Sequence, residues 1–216
     1  MNMENLITLE SICKRWDGAE RPLFKGKLID DKGCCCAQGD VLRVYGYTDE
    51  ELREMTQAKA DWEVAKILNI STTHSILLRH INDKKDGCPQ DVLRNPSKIL
   101  GPEADSILKL WTWAGQQKDV DHADVADAAY AADAADAAYA AYVAAGADAA
   151  DAAYAADAAD AAYAAYVAAG ADRFYRRIRG ATLEIIAHKK LNKFYFLPKL
   201  GFNSLEDIKA LPDWRK

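Results

Sequence analysis

Residues 127–150 read DAAYAADAADAAYAAYVAAGADAA, and residues 151–172 repeat that text without a change for as long as the second copy lasts. Each copy carries a finer rhythm with Asp or Tyr at every third position. The series is Asp124, Asp127, Tyr130, Asp133, Asp136, Tyr139 and Tyr142, resumed after Ala145 by Asp148, Asp151, Tyr154, Asp157, Asp160, Tyr163 and Tyr166. A fixed internal period constrains architecture before any local preference does. Most intervening residues are Ala, which has the highest intrinsic helix propensity, so the repeat reads as helical. On an α-helix a step of three residues falls about 60° short of a full turn. The Asp and Tyr positions therefore wind around the rod and leave no fixed apolar face. Gly146 and Gly170 offer helix stops, and Asp148 and Asp172, two residues further on, offer N-caps. The reading is three antiparallel rods over residues 121–145, 148–169 and 172–191, with Tyr rings in the seams and their hydroxyls on solvent or an Asp. One continuous rod that tolerates its glycines is the alternative.

The formal charge of −5 conceals a strong segregation. Eleven Asp and no Lys or Arg lie between Lys118 and Arg173, and a run of cations follows in Arg173, Arg176, Arg177, Arg179, Lys189, Lys190 and Lys193. An acidic block repels nucleic acid, which excludes nucleic-acid binding through the repeat. Such asymmetry belongs more often to an interaction surface than to catalysis. Because Ala buries little area, a conventional core has to come from the flanking segments.

Those segments divide, on composition, into a small mixed N-terminal domain over residues 1–115 and the Ala-rich antiparallel helical repeat with its basic, aromatic tail over residues 116–216. The fold class expected is mainly α, of α+β character. Leu6 to Trp16 has helical spacing, and Leu23 to Ile29 alternates imperfectly as a short strand ending in the turn Asp30-Asp31-Lys32-Gly33. A short helix runs from Asp40 to a stop at Gly46, and Thr48 with Glu51 forms a capping box for the next. Ser71 opens a further helix, residues 83–102 read as loop, and a helix from Glu103 through Trp113 leads to the repeat. Ser204 caps a last helix through Ala210, and Phe194, Phe196, Leu197, Leu200 and Phe202 are apolar enough to pack back on the repeat or the first domain.

Five cysteines, Cys13, Cys34, Cys35, Cys36 and Cys88, form an odd set with three adjacent and make a poor disulfide framework. With no apolar run of about 20 residues and no leader-type N-terminus, the expectation is a cytoplasmic protein with no membrane contact. A cysteine just ahead of a helix start can become a thiolate. A cysteine of the Cys34–Cys36 cluster, Cys34, Cys35 or Cys36, with His74 or His80 as base and Asn82 or Asp83 as orienting group, is therefore a candidate cysteine hydrolase or thiol sensor, Cys36 with His74 being the pair singled out. The competing reading has small Cys and Ala packing a strand-to-helix corner where Gly39 permits close approach. No metal site and no cofactor are expected. The cysteines lack paired ligand spacing, His122 and His188 stand alone, and no phosphate-loop, dinucleotide or zinc-helix motif is present.

Three elements, Phe24-Lys-Gly-Lys, Asp31-Lys-Gly33 and Cys36-Ala-Gln-Gly39-Asp-Val-Leu42, resemble the N-terminal region of uncharacterised phage and bacterial accessory proteins, the last matching their C-A-x-G-x-x-L element. Ala-rich tandem blocks of the DAAYAA type also recur in such proteins. The resemblance implies a mobile-element setting, where small inhibitors of host defence are common, and implies no activity.

The functional expectation is a non-catalytic protein-binding module. Its acidic ladder (Asp124, Asp127, Asp133, Asp136, Asp148, Asp151, Asp157 and Asp160, with Tyr139 and Tyr163) would meet a basic protein surface, such as a nucleic-acid-binding defence protein. Positions three apart on a helix are separated by about 4.5 Å, so paired rods would present carboxylates at spacings comparable with duplex phosphates, which carry about one charge per 1.7 Å counting both strands. A solvated Ala-rich bundle kept soluble by its charges is the plainer reading of the same ladder. Self-association as a homodimer through Arg173, Arg176 and Arg177 is also expected, because a symmetric pair brings each charged segment to its complement.

Overall fold

The computed structural model describes residues 7–19, 23–83, 87–116, 173–191 and 193–215. The chain is mainly helical there. The repeat ladder, from Asp119 to Asp172, lies outside the described residues.

Helix α1 (Leu9–Asp17) starts later than its apolar spacing alone implies because Thr8 and Ser11 cap one another reciprocally, and it buries Ile12, Cys13 and Trp16. Helix α2 (Ala37–Tyr45) is capped by the Cys36 side chain and stops at Gly46, whose φ of 125° suits glycine. The capping box of Thr48 and Glu51 is present and opens α3 (Asp49–Glu54). The helical run that follows is broken at Met55. Thr56 caps a new helix, α4 (Gln57–Leu68), which ends on Asn69 in the left-handed region. Helix α5 (Thr72–Asp83) begins where Ser71 receives the His74 amide.

Residues 83–102 hold two short helices, α6 (Pro89–Arg94) and α7 (Ser97–Leu100). Pro89 occupies the first turn of α6, where its missing N–H costs nothing. Val92, Leu93, Ile99 and Leu100 are buried, so this stretch forms part of the core. Helix α8 (Ala104–Gly115) leads to the repeat, and α9 (Arg173–Ala187) follows it. A 3₁₀ turn at Leu197–Leu200 and helix α10 (Leu205–Lys209), capped by Ser204, complete the fold.

The strand expected over residues 23–29 shrinks to one antiparallel bridge, Ile29 to Cys35. The Asp30 carboxylate accepts the Lys32 and Cys34 amides and tightens the turn. After that bridge the chain at once enters α2, so no ladder extends. Among the described residues no strand longer than this bridge occurs.

Helix α5 is the centre of the molecule. It packs against α2, α4, α6 and α8, which is why Ile76, Leu77, Leu78 and Ile81 are buried on nearly every side. A polar knot is buried within this group. Gln38 Nε2 donates to Asp61 Oδ1 at 2.7 Å and to the Ser75 carbonyl at 3.1 Å, while Gln57 Nε2 donates to Gln38 Oε1 at 2.8 Å. Arg79 closes it with two bonds to the Asp61 carboxylate, at 3.1 and 3.2 Å. Every polar atom of the Asp61–Gln38 pair thus has a partner, which removes the cost of burying them.

The C-terminal segment shares this core. Ile178, Ala181 and Ile185 form a buried stripe on α9, which packs on α8. Phe202 meets Trp113 edge-on at 4.8 Å, and Trp214 meets His74 edge-on at 5.0 Å. Phe202, before α10, therefore packs back on α8, while Phe196 and the 3₁₀ turn at Leu197–Leu200 pack on α9. The Glu184 carboxylate fixes the intervening chain by accepting the amides of Tyr195, Phe196 and Leu197. Gly180 is required beneath it, since a Cβ there would lie 2.4 Å from the Phe196 ring.

Candidate functional sites at the cysteine corner and the repeat-bearing hairpin

At the cysteine corner the chain turns from the Ile29–Cys35 bridge into α2. Cys36 donates its amide to the Leu28 carbonyl at 3.1 Å, and its Sγ accepts the Gly39 amide at 3.4 Å. A Cβ on Gly39 would lie 1.9 Å from the Leu28 carbonyl oxygen. Close approach is thus what the glycine provides at this corner.

Two of the candidate hydrolase residues, His74 and Asn82, are engaged by other groups. His74 is buried on α5 and its Nε2 lies 2.9 Å from the Val92 carbonyl. A carbonyl only accepts, so the neutral ring carries its proton on Nε2 and donates it there. Burial drives the His74 pKa down to about 4, an environment that resists the positive charge a general base must take up. Asn82 instead braces the corner, its Oδ1 accepting the Ala37 amide at 3.3 Å and its Nδ2 donating to the Phe24 carbonyl at 2.8 Å. Burial also pushes the Cys36 thiol up to about 11, the opposite of nucleophile activation. Cys13 and Cys35 are likewise pushed up to about 11 by burial, and all five cysteines are free thiols. Among the described residues, no group of three or more His, Cys, Asp or Glu side chains is placed to hold a metal ion.

Beside this corner stands an arrangement that the sequence reading did not single out. Arg15 of α1 grips Asp40 of α2 with Nε at 2.7 Å and Nη2 at 2.9 Å, and the Trp16 indole adds a third donor at 3.0 Å. Arg43, one turn further along α2, donates to the Gly33 carbonyl at 2.9 Å and to Asp49 at 2.5 Å. The available signal was the placement of Asp40 in the first turn of α2, where a carboxylate is favoured. Nothing in the spacing names Arg15 as its partner.

The second site is the pair α8 and α9. His188, just past α9, approaches Glu103 at 3.5 Å, and Trp111 Nε1 donates to Thr182 Oγ1 at 3.0 Å. Moving forward along α8 from Glu103 to Trp111 is matched by moving back from His188 to Thr182, so the two helices are antiparallel. The end of α8 and the start of α9 consequently share one end of the pair. Residues 117–172 connect those two ends, which makes the repeat an insertion at the tip of a helical hairpin. Asp124, Asp127, Asp133, Asp136, Asp148, Asp151, Asp157, Asp160, Tyr139 and Tyr163 all belong to that insertion and lie outside the described residues. Arg173 and Arg176 fall in the first turn of α9 next to it. Arg177 donates Nη1 to the Lys199 carbonyl at 3.1 Å, tying α9 to the 3₁₀ turn at Leu197–Leu200.

No family model, curated protein or solved structure matches the chain. Among the described residues no helix is long and apolar enough to cross a membrane.

Proposed function

We propose that this protein is a non-catalytic binding module in which a helical scaffold carries an acidic Asp/Tyr arm to a basic protein surface. The observation that supports the reading is the antiparallel pairing of α8 and α9, which brings the two ends that residues 117–172 connect to one end of a helix pair on the shared core. An arm held in this way can lengthen or shorten by whole copies without repacking the core. The eleven Asp between Lys118 and Arg173, with no Lys or Arg among them, would steer a basic partner during encounter. The partner class is a basic, nucleic-acid-binding protein for which the arm substitutes electrostatically. A phage-type inhibitor of host defence, working in a reducing cytoplasm that keeps five free thiols intact, fits that chemistry. The raised thiols at the cysteine corner weigh against the alternative of a cysteine-dependent enzyme.

The test is capture of partners from a bacterial lysate by the full chain at low and high salt, repeated with Asp133, Asp136, Asp157 and Asp160 all changed to Asn. Capture should fail at high salt and fall with the variant, mainly through the association rate. Capture that is indifferent to both would move the binding surface to the helical scaffold. The same charge segregation supports a homodimer in which the Arg173–Arg176–Arg177 region of one copy meets the arm of the other. Sedimentation at low salt should show a dimer that Arg176→Glu with Arg177→Glu dissociates; a monomer at micromolar concentration would contradict it.

A further inference from the structure

Between the start of α2, the end of α1 and the turn before α2 lies a cleft of about 440 Å³, in the range of small-ligand sites. Among the described residues its wall carries three cations, Arg15, Lys32 and Arg43, against one lining carboxylate, Asp40. The two guanidiniums are held before any ligand arrives. Arg15 spends Nε and Nη2 on Asp40, and Arg43 spends Nη1 on the Gly33 carbonyl and Nη2 on Asp49. Each guanidinium has five N–H donors, so both keep unused donors in a fixed orientation. Lys32 stands on an exposed turn whose shape is set by Asp30 and is free of any role in the core. Leu23 and the Trp16 ring line the same cleft, with the Trp16 indole bonded to Asp40 beside Arg15.

We propose that this cleft is a binding site for a small organic anion, its carboxylate or phosphate group received by Arg15, Lys32 and Arg43 and its apolar part lying against Leu23 and Trp16. Preorganised guanidiniums lose little entropy on binding and recognise planar or tetrahedral oxyanions with more than one bond. Asp40 has two roles in the site. It fixes Arg15, and its own charge offsets part of the local positive field, so the site selects a ligand of low charge over a polyanion. The site is separate from the arm, and its ligand need not be shared with the arm's partner.

Cys34 lines the same cleft, half-buried, and reports occupancy. The experiment measures the rate at which N-ethylmaleimide modifies Cys34 in the full chain, read by peptide mass spectrometry, with exposed Cys88 as internal reference. Inorganic phosphate, adenosine monophosphate and succinate are the probes, with choline chloride at matched ionic strength as control. At least one probe should slow Cys34 about fivefold or more while leaving Cys88 unchanged. Lys32→Gln should raise the half-protecting concentration at least about threefold, and its surface position keeps the fold intact. Protection by phosphate or the nucleotide alone identifies a phosphate ligand, and protection by succinate alone a carboxylate. Absence of protection by all three probes, equal protection by choline chloride, or protection indifferent to Lys32→Gln would overturn the assignment.

Discussion

The indole Nε1 of Trp111 donates to the hydroxyl of Thr182 at 3.0 Å, across 71 positions of sequence that include the whole repeat. Both residues are buried, and Thr182 Oγ1 in turn donates to the Ile178 carbonyl at 2.9 Å. The bond joins the helices on either side of the insertion. Trp111→Phe keeps most of the ring volume and removes the donor, so it should cost about 1–2 kcal/mol in urea unfolding, the range for losing a buried hydrogen bond. Thr182→Val should cost a similar amount, because it leaves the indole N–H unpartnered. The double variant should cost less than the sum, since both changes remove the same bond. Full additivity would show that the two groups are not coupled.

Three glycines should behave differently on substitution by Ala. At Gly39 the new Cβ would meet the Leu28 carbonyl oxygen at 1.9 Å, a backbone atom that cannot move without opening the corner. A loss of about 3 kcal/mol is expected, at the severe end for overpacking. Gly180→Ala pushes on the Phe196 ring and should cost about 1–2 kcal/mol while loosening the segment clamped by Glu184. Gly115, the last residue of α8, has nothing within 4 Å of its added Cβ, so Ala there should be neutral or stabilise by up to about 1 kcal/mol. Urea midpoints of the three variants rank the effects directly.

Stability should fall on mild acidification because of His74. Its pKa drops from 6.5 to about 4 in the folded protein, chiefly through burial, with the nearby Arg215 charge acting in the same direction and the Val92 hydrogen bond opposing. The unfolded chain therefore takes up the proton first. The contribution is fully present above about pH 6.5 and is lost as the pH falls toward 4, amounting to about 3 kcal/mol at 1.36 kcal/mol per pKa unit. His74→Gln, which can still donate to Val92, should flatten that part of the pH profile in unfolding measured from pH ~7 to ~4.5. An unchanged slope would mean that His74 is protonated in the folded state.

Alkylation should sort the five thiols by environment. Exposed Cys88 should react first with iodoacetamide and half-buried Cys34 next. Cys13, Cys35 and Cys36, pushed up to about 11, have roughly one thiolate in a thousand near pH 8 and should react only on unfolding. Rapid modification of Cys36 in the native protein would reopen the nucleophile reading.

Local signals in the sequence reached the structure where the chemistry itself is local. The Thr48–Glu51 box, the stop at Gly46 and the cap at Ser204 each depend on residues within one turn, and each is found. The approach of Gly39 to Leu28 was legible too, because glycine beside a bridge and a helix start has few other uses. What escaped depends on distant partners. The alternation over residues 23–29 looks like a strand, yet a strand needs a neighbour, and the chain offers only Cys35. Residues 83–102 look like a loop because their prolines and glycines punctuate them, although Val92, Leu93 and Ile99 are needed to cover α5 and α8. Composition changes abruptly at the repeat, whereas packing joins α9 and Trp214 to the N-terminal helices across it. The Arg15–Asp40 contact has no local signature beyond the place of Asp40 in the first turn of α2, and the cleft beside it has none.

The most direct measurement replaces residues 117–172 with a flexible Gly/Ser linker of about twelve residues and follows unfolding in urea. Such a linker spans roughly 20 Å on average, and loop length changes stability by only about 0.6 kcal/mol per doubling. If α8 and α9 pair as described and the repeat is an arm on their tip, the shortened protein should unfold in one cooperative transition. Its stability should lie within about 1–2 kcal/mol of the full chain, and salt-sensitive partner capture should be gone. A shortened protein that fails to fold, or that folds and still captures the same partner, would contradict the account.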